Sequence, residues 1–153
     1  IRALEFYHQN HSPISAHNEE QQERTSPYNL AYFVLNAPRE LLYKRIDKRV
    51  DEMMTSGLVA EVQKLKDMGY HRGMVSMQGL GYKEILAYLD GEMPLEEAVR
   101  ILKRDTRHFA KRQLTWFRRE LETLWINKDE FGYDDGKMLE YMLSICREKG
   151  ILG

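Results

Sequence analysis

Apolar residues recur at every third or fourth position over most of the chain, which is the spacing of amphipathic helices. The pattern predicts helices with approximate bounds 1–10, 38–54, 56–69, 82–89, 94–120 and 138–148. Pro38 and Pro94 suit the first turns of two of these helices, because proline has no N–H to leave unbonded there. Ser56 suits the cap of a third helix, and Gly69 suits its end. At 1.5 Å per residue, the helix at 94–120 would be roughly 40 Å long.

One segment departs from the helical spacing: residues 28–37, which read Tyr-Asn-Leu-Ala-Tyr-Phe-Val-Leu-Asn-Ala. The segment is short, aromatic and continuously apolar in its middle, so it predicts a buried strand of a parallel sheet that is covered on both faces. Residues 124–127 predict a second, short strand, and the polar residues 11–27 predict a loop or a weak helix. Because an isolated strand is not stable, its sheet partners are expected in a longer chain or in another molecule. The chain is therefore mostly α, with one or two strands.

Length and composition limit the class of protein. A chain of 153 residues, 42% of them hydrophobic, can bury the core of one domain, with or without an appendage, but not of two large domains. No uncharged apolar run approaches the roughly 20 residues of a transmembrane helix. The single cysteine, Cys146, has no intramolecular disulfide partner, and no stretch has the order of a signal peptide, so a cytoplasmic setting is expected. Because the first residue is Ile1 and not Met, we expect a processed chain or a fragment.

The net charge of −1 hides an uneven distribution. Residues 100–119 contain eight basic residues and one acidic residue, a charge of +7, which leaves −8 on the remainder. Six of these cations are spaced as neighbours on one surface of the predicted helix. They are Arg100, Lys103, Arg104, Arg107, Lys111 and Arg118. Such a stripe matches phosphates and favours a polyanionic partner such as nucleic acid. The alternative is a solvated helix face that the acidic remainder of the chain balances.

A second candidate for anion binding follows the predicted strand. Arg45 and Arg49 lie one turn apart on the next helix, and ligands of α/β sheets bind beyond the carboxyl ends of the strands. A basic side chain on that helix can therefore be aimed at an anion. Alternatively, either arginine pairs within the helix with Glu52 or Glu40.

Other motifs are weaker or absent. The glycine-punctuated loop 73–81 is either a helix entry or a place where the backbone approaches a ligand closely. The phosphate-binding motif Gly-x-x-x-x-Gly-Lys-[Ser/Thr] does not occur, and there is no nucleophile elbow. His8, His11 and His17 lack the cysteines or carboxylates that would complete a zinc site, so surface histidines are favoured.

Four stretches, in this order, resemble the tRNA dimethylallyltransferase family, and together they cover nearly the whole chain. They are Arg2-Ala-Leu-Glu; Leu41-Leu-Tyr-Lys-Arg-Ile-Asp-Lys-Arg-Val-Asp-Glu-Met with Gly57-Leu-Val-Ala-Glu-Val; Gln78-Gly-Leu-Gly-Tyr-Lys-Glu-Ile; and Thr106-Arg-His-Phe-Ala-Lys-Arg-Gln-Leu-Thr-Trp-Phe-Arg. The last two are specific, because no generic helix demands their dipeptides or the spacing between them.

The resemblance implies an α/β fold with a parallel-sheet core similar to that of P-loop kinases and an inserted helical domain that clasps the anticodon stem-loop of tRNA. It implies transfer of the dimethylallyl group of dimethylallyl diphosphate to the exocyclic amine of the adenosine 3′ of the anticodon. In such enzymes that adenosine is flipped out of its stack, and Mg²⁺ and cations stabilise the departing diphosphate. The resemblance also implies a monomer when complete, with no membrane attachment.

Site residues carry over position by position. Arg49 matches the arginine that looks like a diphosphate contact, and three stretches resemble tRNA-contact segments. The residues in those stretches are Arg2, Gln78, Gly79, Leu80, Gly81, Tyr82, Lys83, Lys111, Arg112, Gln113, Leu114, Thr115, Trp116, Phe117 and Arg118. Some members of the family carry arginine where this chain has Gln78 and Lys83. This departure weakens the expectation that Gln78 holds a phosphate, although its amide still donates hydrogen bonds.

Part of the family's active site has no counterpart in this sequence. The family's phosphate-binding glycine loop, and the aspartate that looks like the general base, lie in a portion that this sequence does not contain. Mg²⁺ is therefore expected to bind mainly there, with no metal ligand in this piece, and this piece alone is expected to be inactive. Residues 1–27 are expected to end the inserted domain, and residues 28–153 to form the carboxy-terminal part of the core with the basic helix.

Three alternatives remain open. Composition alone favours a non-catalytic nucleic-acid-binding helical module. An enzyme of related fold that prenylates free adenine nucleotides is the second alternative, but a helix of charge +7 is more than a mononucleotide needs, so tRNA is preferred. A structural interaction module is the third and has the least support.

Overall fold

The computed structural model describes residues 1–23, 26–120 and 122–152. The helices are α1 (Arg2–Asn10), α2 (Ile14–Glu23), α3 (Arg39–Thr55), α4 (Leu58–Asp67), α5 (Tyr82–Leu89), α6 (Leu95–Phe117) and α7 (Asp135–Glu148). The strands are β1 (Tyr32–Asn36) and β2 (Thr123–Asn127), and a 3-10 turn covers Val75–Gln78. The predicted, mostly α character with two strands is therefore confirmed.

The chain divides into two compact units. The first contains Ile1–Leu35 and Arg119–Gly153, and the second contains Asn36–Arg118. This division follows how the chain packs within itself. The expected boundary between residues 1–27 and 28–153 refers to a longer protein and stays a prediction.

In the first unit, β1 and β2 pair as a two-stranded parallel sheet. The expectation that β1 has no strand partner in this chain was therefore wrong, because the short strand predicted near 124–127 supplies one. Within the described residues one face of β1 is covered: Val34 is buried, whereas Leu35, on the opposite face, is 55% exposed, and cover of that face by a longer protein stays a prediction. An apolar run shows that a strand is suited to burial without showing which segment covers it.

The predicted strand also begins later than its sequence suggests. Tyr28 is exposed, and its N–H donates to Ser26 Oγ at 3.1 Å, a local turn that competes with strand pairing. The side-chain amide of Asn29 donates to the backbone oxygen of Lys149 at 2.7 Å. The pairing with β2 therefore begins only at about Tyr32.

The second unit is a helical cluster made by α3, α4, α5 and α6. Its buried apolar residues come from all four helices and the 3-10 turn. They are Val50, Leu58, Val62, Met77, Ile85, Leu86 and Leu102. Each fully buried side chain of this size contributes roughly 1.5–3 kcal/mol through the hydrophobic effect. The apolar stripes predicted for these helices therefore face a common core.

Most predicted helix ends are confirmed. Pro38 and Pro94 directly precede α3 and α6, and Gly69, at φ +91°, lies just beyond α4. The role predicted for Ser56 was wrong. Ser56 keeps helical angles as the C-cap of α3, directly after Thr55, so Gly57, at φ +99°, caps α4 instead.

The last helix begins three residues earlier than predicted. The Asp134 side chain accepts hydrogen bonds from the N–H groups of Gly136 and Lys137, at 2.9 and 3.1 Å. This cap satisfies N–H groups that would otherwise lack partners at the helix start. Among the described helices, none is both long enough and apolar enough to cross a membrane.

Candidate functional site

Helix α6 has two halves with different surroundings. In the first half (95–107), Ala98 and Leu102 are buried in the core of the second unit. In the second half (108–117), Phe109 is 44% exposed and Trp116 is 54% exposed. The predicted apolar stripe along the whole helix is therefore wrong at Phe109. The reason is length: α6 has 23 residues, about 35 Å, whereas α5 beside it has eight.

Two cations of the first half join α6 to α3. Lys103 Nζ lies 2.6 Å from a carboxylate oxygen of Asp51. Arg107 Nη1 donates to both carboxylate oxygens of Asp47, at 2.7 and 2.8 Å. Asp47 and Asp51 are one turn apart on α3, so the two pairs form a ladder between the helices. These cations are neutralised within the protein.

Two more cations of the first half pair along the helix itself. Arg100 donates to Glu97 at 2.5 and 2.7 Å, and this contact lowers the pKa of the Glu97 carboxyl and raises that of the guanidinium. Arg104 donates to Asp105 at 2.8 Å, which lowers the pKa of the Asp105 carboxyl, with help from the charge of Lys83. In the first half, the alternative of a face balanced by acidic residues is therefore confirmed.

The second half keeps its cations available. Among the described residues, Lys111 and Arg118 have no ion pair, and both are exposed. The Arg112 guanidinium lies over the Phe109 ring, 5.8 Å from its centroid, and Arg112 has no described carboxylate partner. The exposed Trp116 ring meets the half-buried Phe117 ring edge-on at 5.2 Å. We call residues 108–118 the basic end of α6.

The other residues of this stretch that are predicted to contact tRNA lie mostly on the surface. Gln113 and Thr115 are exposed, and the Thr115 hydroxyl donates back to the Lys111 carbonyl oxygen at 3.0 Å. Leu114 is half-buried. In the first unit, Arg2 is exposed at the start of α1.

Residues 78–83, which the resemblance predicts to contact tRNA, form a turn that leads into α5. We call this turn the glycine turn. Gln78 and Gly79 are exposed, whereas Leu80 is half-buried and Gly81 is buried. The Gln78 side-chain amide donates to the Arg72 carbonyl oxygen. Gly81 caps α5, so the helix-entry interpretation of this loop is confirmed.

The next two side chains, those of Tyr82 and Lys83, pair with carboxylates of the protein. The Tyr82 hydroxyl donates to Glu61 Oε1 at 2.5 Å, and this hydrogen bond raises the pKa of the phenol. Lys83 Nζ lies 3.4 Å from Glu84 Oε1 and 3.9 Å from Asp105 Oδ2. The charge of Lys83 is therefore partly balanced before any ligand binds.

Arg49 lies at a groove of about 310 Å³ in the second unit. The groove is lined by residues of α3, the glycine turn and α6. They are Arg45, Ile46, Arg49, Val50, Met53, Leu80, Leu102 and Thr106. Apart from the two arginines and Thr106, the lining is apolar. The groove therefore suits a ligand with an anionic head and a small apolar tail.

The groove leaves Arg49 free for such a ligand. Arg49 is exposed and makes no hydrogen bond or ion pair with any described residue. Pairing of Arg49 with Glu52 is not observed, because Glu52 is 3.6 Å from Lys48 instead. The charge of Arg49 therefore remains available to an anion.

The described residues do not fit a magnesium site. No group of three or more His, Cys, Asp or Glu side chains in residues 1–23, 26–120 and 122–152 is placed to hold a metal ion. The nearest carboxylates on α3, Asp47 and Asp51, are engaged by cations of α6.

The carboxylates that pair with the basic helix and with the glycine turn were not identified from the sequence. Asp47 and Asp51 were not predicted as partners of the basic helix, because they lie 60 and 52 positions from the cations they bind. Glu84 was also missed, although a glutamate three residues after the capping position is a known pattern for helix starts.

Comparisons with known proteins show the family to which the chain belongs. The family model described as IPP transferase matches residues 1–120. The tRNA dimethylallyltransferase of Lachnoclostridium phytofermentans is 58% identical over 152 residues, which are 99% of this chain and 48% of that protein. The one of Acetivibrio thermocellus is 53% identical over 146 residues, 94% of this chain and 47% of that protein. The chain spans about half the length of the curated relatives it matches.

Solved structures show the same similarity. A tRNA delta(2)-isopentenylpyrophosphate transferase from Staphylococcus epidermidis superposes with a TM-score of 0.76 at 37% identity, covering 96% of this chain and 47% of that one. A tRNA isopentenylpyrophosphate transferase from Bacillus halodurans superposes with a TM-score of 0.74 at 43% identity, covering 87% and 44%.

Proposed function

Since the chain belongs to the IPP transferase family, we propose that it forms the carboxy-terminal part of a tRNA dimethylallyltransferase. The whole enzyme transfers the dimethylallyl group of dimethylallyl diphosphate to the exocyclic amine of the adenosine 3′ of the anticodon. The observation that carries this proposal is the groove beside Arg49. It combines a cation without a described ion pair with an apolar lining, and Leu80 of the glycine turn, one of the candidate RNA segments, contributes to its wall.

The basic end of α6 binds the RNA in this proposal. Its cations have no described carboxylate partners, so contact with phosphates releases counterions without first breaking an ion pair. The exposed rings of Phe109 and Trp116 offer faces on which unpaired bases can stack. The anticodon stem-loop presents both features, a phosphate backbone and unstacked bases. Arg2 and the exposed Gln78 and Gly79 complete the proposed RNA surface.

In the reaction, the amine nitrogen of the extruded adenosine attacks C1 of the dimethylallyl group. The bond between C1 and the diphosphate oxygen breaks, and its electron pair leaves with the diphosphate. The amine loses a proton to a base that this chain does not supply. Arg49 stabilises the negative charge that develops on the departing diphosphate, and the groove keeps water away from the reactive carbon.

The rest of the active site is proposed to lie in the amino-terminal half. That half would supply the general base, the phosphate-binding loop and the ligands for Mg²⁺, which assists departure of the diphosphate. Residues 1–27 would end the inserted RNA-clasping domain, and residues 28–153 would complete the sheet core. The chain is therefore expected to be inactive alone. The complete enzyme is proposed to be a cytoplasmic monomer.

The proposal is tested by substituting Arg49 in the full-length enzyme that contains this chain. We expect Arg49→Ala to lower prenyl transfer about 10²- to 10³-fold, the effect of removing one preorganised group that stabilises developing negative charge. Binding of the anticodon stem-loop should stay nearly unchanged. Lys48→Ala is the matched control, because Lys48 is a neighbouring exposed cation that pairs with Glu52 outside the groove.

Transfer is measured with isotope-labelled dimethylallyl diphosphate, and binding by titration of a labelled stem-loop. Equal losses of transfer and binding in Arg49→Ala would place Arg49 in the RNA site or in folding instead. A parallel assay with adenosine monophosphate as acceptor separates tRNA modification from the prenylation of free nucleotides.

A further inference from the structure

Glu84 is the one buried polar side chain among the described residues, with only 4% of its surface exposed. It is flanked in the core by the buried residues Ile85, Leu86 and Ala87. Removing a carboxylate from water costs several kcal/mol unless other groups compensate it. An exposed serine or aspartate could cap a helix without that cost. A buried glutamate at this position therefore calls for a further reason.

The contacts of Glu84 show which segment it holds. Oε2 accepts a hydrogen bond from the N–H of Gly81 at 2.8 Å. Oε1 lies 3.4 Å from Lys83 Nζ but makes no hydrogen bond with any described group. Lys83 is in turn 3.9 Å from Asp105 on α6. Glu84 thus binds the backbone of the glycine turn and draws its one cation inward.

The backbone at Gly81 requires such support. Its φ of +99° and ψ of −55° are angles that residues with a side chain rarely adopt. Space is not the constraint, because a Cβ at Gly81 would lie 3.9 Å from the nearest atoms of Leu58 and Met53, an ordinary contact. Glycine is therefore needed for its conformation, and the flexibility that it brings is limited by the bond to Glu84.

The turn serves two proposed sites at once. Leu80, directly before Gly81, lines the groove beside Arg49. Gln78 and Gly79, directly before Leu80, are exposed and belong to the proposed RNA surface. A shift of the turn would therefore displace a wall of the groove and an RNA contact together.

We propose that Glu84 is a positioning residue: its buried carboxylate fixes the glycine turn so that Leu80 closes the groove beside Arg49 while Gln78 and Gly79 meet the RNA. This inference rests on the proposed function. It adds to it a residue that touches neither substrate and acts on the binding of both.

The test uses the full-length enzyme and measures kcat and KM for both substrates in Glu84→Ala and Glu84→Gln. In Glu84→Ala we expect KM for the stem-loop and KM for dimethylallyl diphosphate each to rise about tenfold, the size expected for losing a buried hydrogen bond to a charged group. Glu84→Gln should stay within about threefold of the parent enzyme, because an amide oxygen still accepts the Gly81 N–H. Glu97→Ala, which removes a half-buried glutamate that pairs only along α6, is the control.

Measuring kcat and KM separately distinguishes a positioning role of Glu84 from a role in stability alone. A variant that is merely less folded contains fewer active molecules, so its apparent kcat falls while both KM values stay unchanged. That result, or equal impairment of Glu84→Ala and Glu84→Gln, would overturn the inference. Should Glu84→Ala not fold, Gly81→Ala carries the same test, because it disturbs the turn and leaves the carboxylate in place.

A double substitution sharpens the test. Because both changes disturb one turn, Glu84→Ala with Gly81→Ala should raise the two KM values no further than the more damaging single change. Multiplied effects would show that the residues act separately and would contradict the inference. Lys111→Ala, measured alongside, separates the failure of the proposed function from the failure of this inference. If Lys111→Ala does not weaken stem-loop binding, the proposed RNA function fails. If Lys111→Ala weakens binding but the Glu84 variants keep the KM values of the parent enzyme, only the role of Glu84 fails.

Discussion

The two halves of α6 are similar in composition but differ in their surroundings. Both are rich in arginine and lysine, and both carry apolar residues at helical spacing. In the first half Ala98 and Leu102 are buried, and every one of the four cations has a carboxylate partner. In the second half the rings of Phe109 and Trp116 are exposed, and neither Lys111 nor Arg118, directly after the helix, has an ion pair with a described residue. A charged helix therefore marks a binding surface only where the fold leaves its charges unbalanced.

The comparison also shows how one helix can hold a site rigidly and present it. Pairing of Lys103 and Arg107 with α3 fixes the helix that carries Arg49 against the helix that carries the basic end. Rigid support of this kind holds binding groups in place, so less conformational entropy is lost when the ligand binds. In the proposed function, the first half is thus the structural base from which the second half would meet the RNA.

The largest expected difference between the halves is in stability. Leu102→Ala, in the buried first half, should lower the free energy of unfolding by about 2–5 kcal/mol, because it leaves a cavity in the core. Phe109→Ala, in the exposed second half, should lower it by well under half as much, because its ring is already largely hydrated. Chemical denaturation of the full-length enzyme measures both. Similar losses in the two variants would show that the second half is buried in solution.

The next difference is in the salt dependence of RNA binding. Lys111→Ala should remove about one phosphate contact, so the slope of log affinity against log salt becomes shallower by about 0.7–0.9. Lys103→Ala should leave that slope unchanged, because Lys103 is bound to Asp51. Titration of a labelled anticodon stem-loop at several salt concentrations gives the slopes. An affinity that does not vary with salt would remove the electrostatic role of the basic end.

The smallest difference is in the response to acid. Because Arg104 lowers the pKa of Asp105, ionised Asp105 stabilises the folded state above the ordinary carboxylate pKa, and this contribution is lost as the pH falls through the lowered value. Asp105→Asn should therefore make stability slightly less dependent on pH below about 4. Arg118→Gln, in the second half, should leave that dependence unchanged. Thermal unfolding across this range checks both, and an identical acid response of Asp105→Asn and the parent enzyme would contradict the assignment.

Particular residues show why prediction succeeded for helices and failed for contacts. Pro38, Gly69 and Pro94 marked helix ends correctly, because each acts through its own backbone geometry. Ser56 failed, because a serine caps a helix only when its backbone is extended, and the preceding helix keeps it helical. Cover of Leu35 is not seen in the described residues and stays a prediction, since the strand does not encode the segment that covers it.

The sequence by itself determined the helices, the concentration of charge between residues 100 and 119, and the blocks that resemble one enzyme family. These properties depend on neighbouring residues and on side-chain chemistry, both of which can be read along the chain. Only the tertiary structure decided that two cations of α6 pair with α3, how far the core extends along α6, and that Leu80 and Arg49 line one groove. Charge pairing and burial depend on distance in space, and residues 52 or 60 positions apart meet only after the chain has folded.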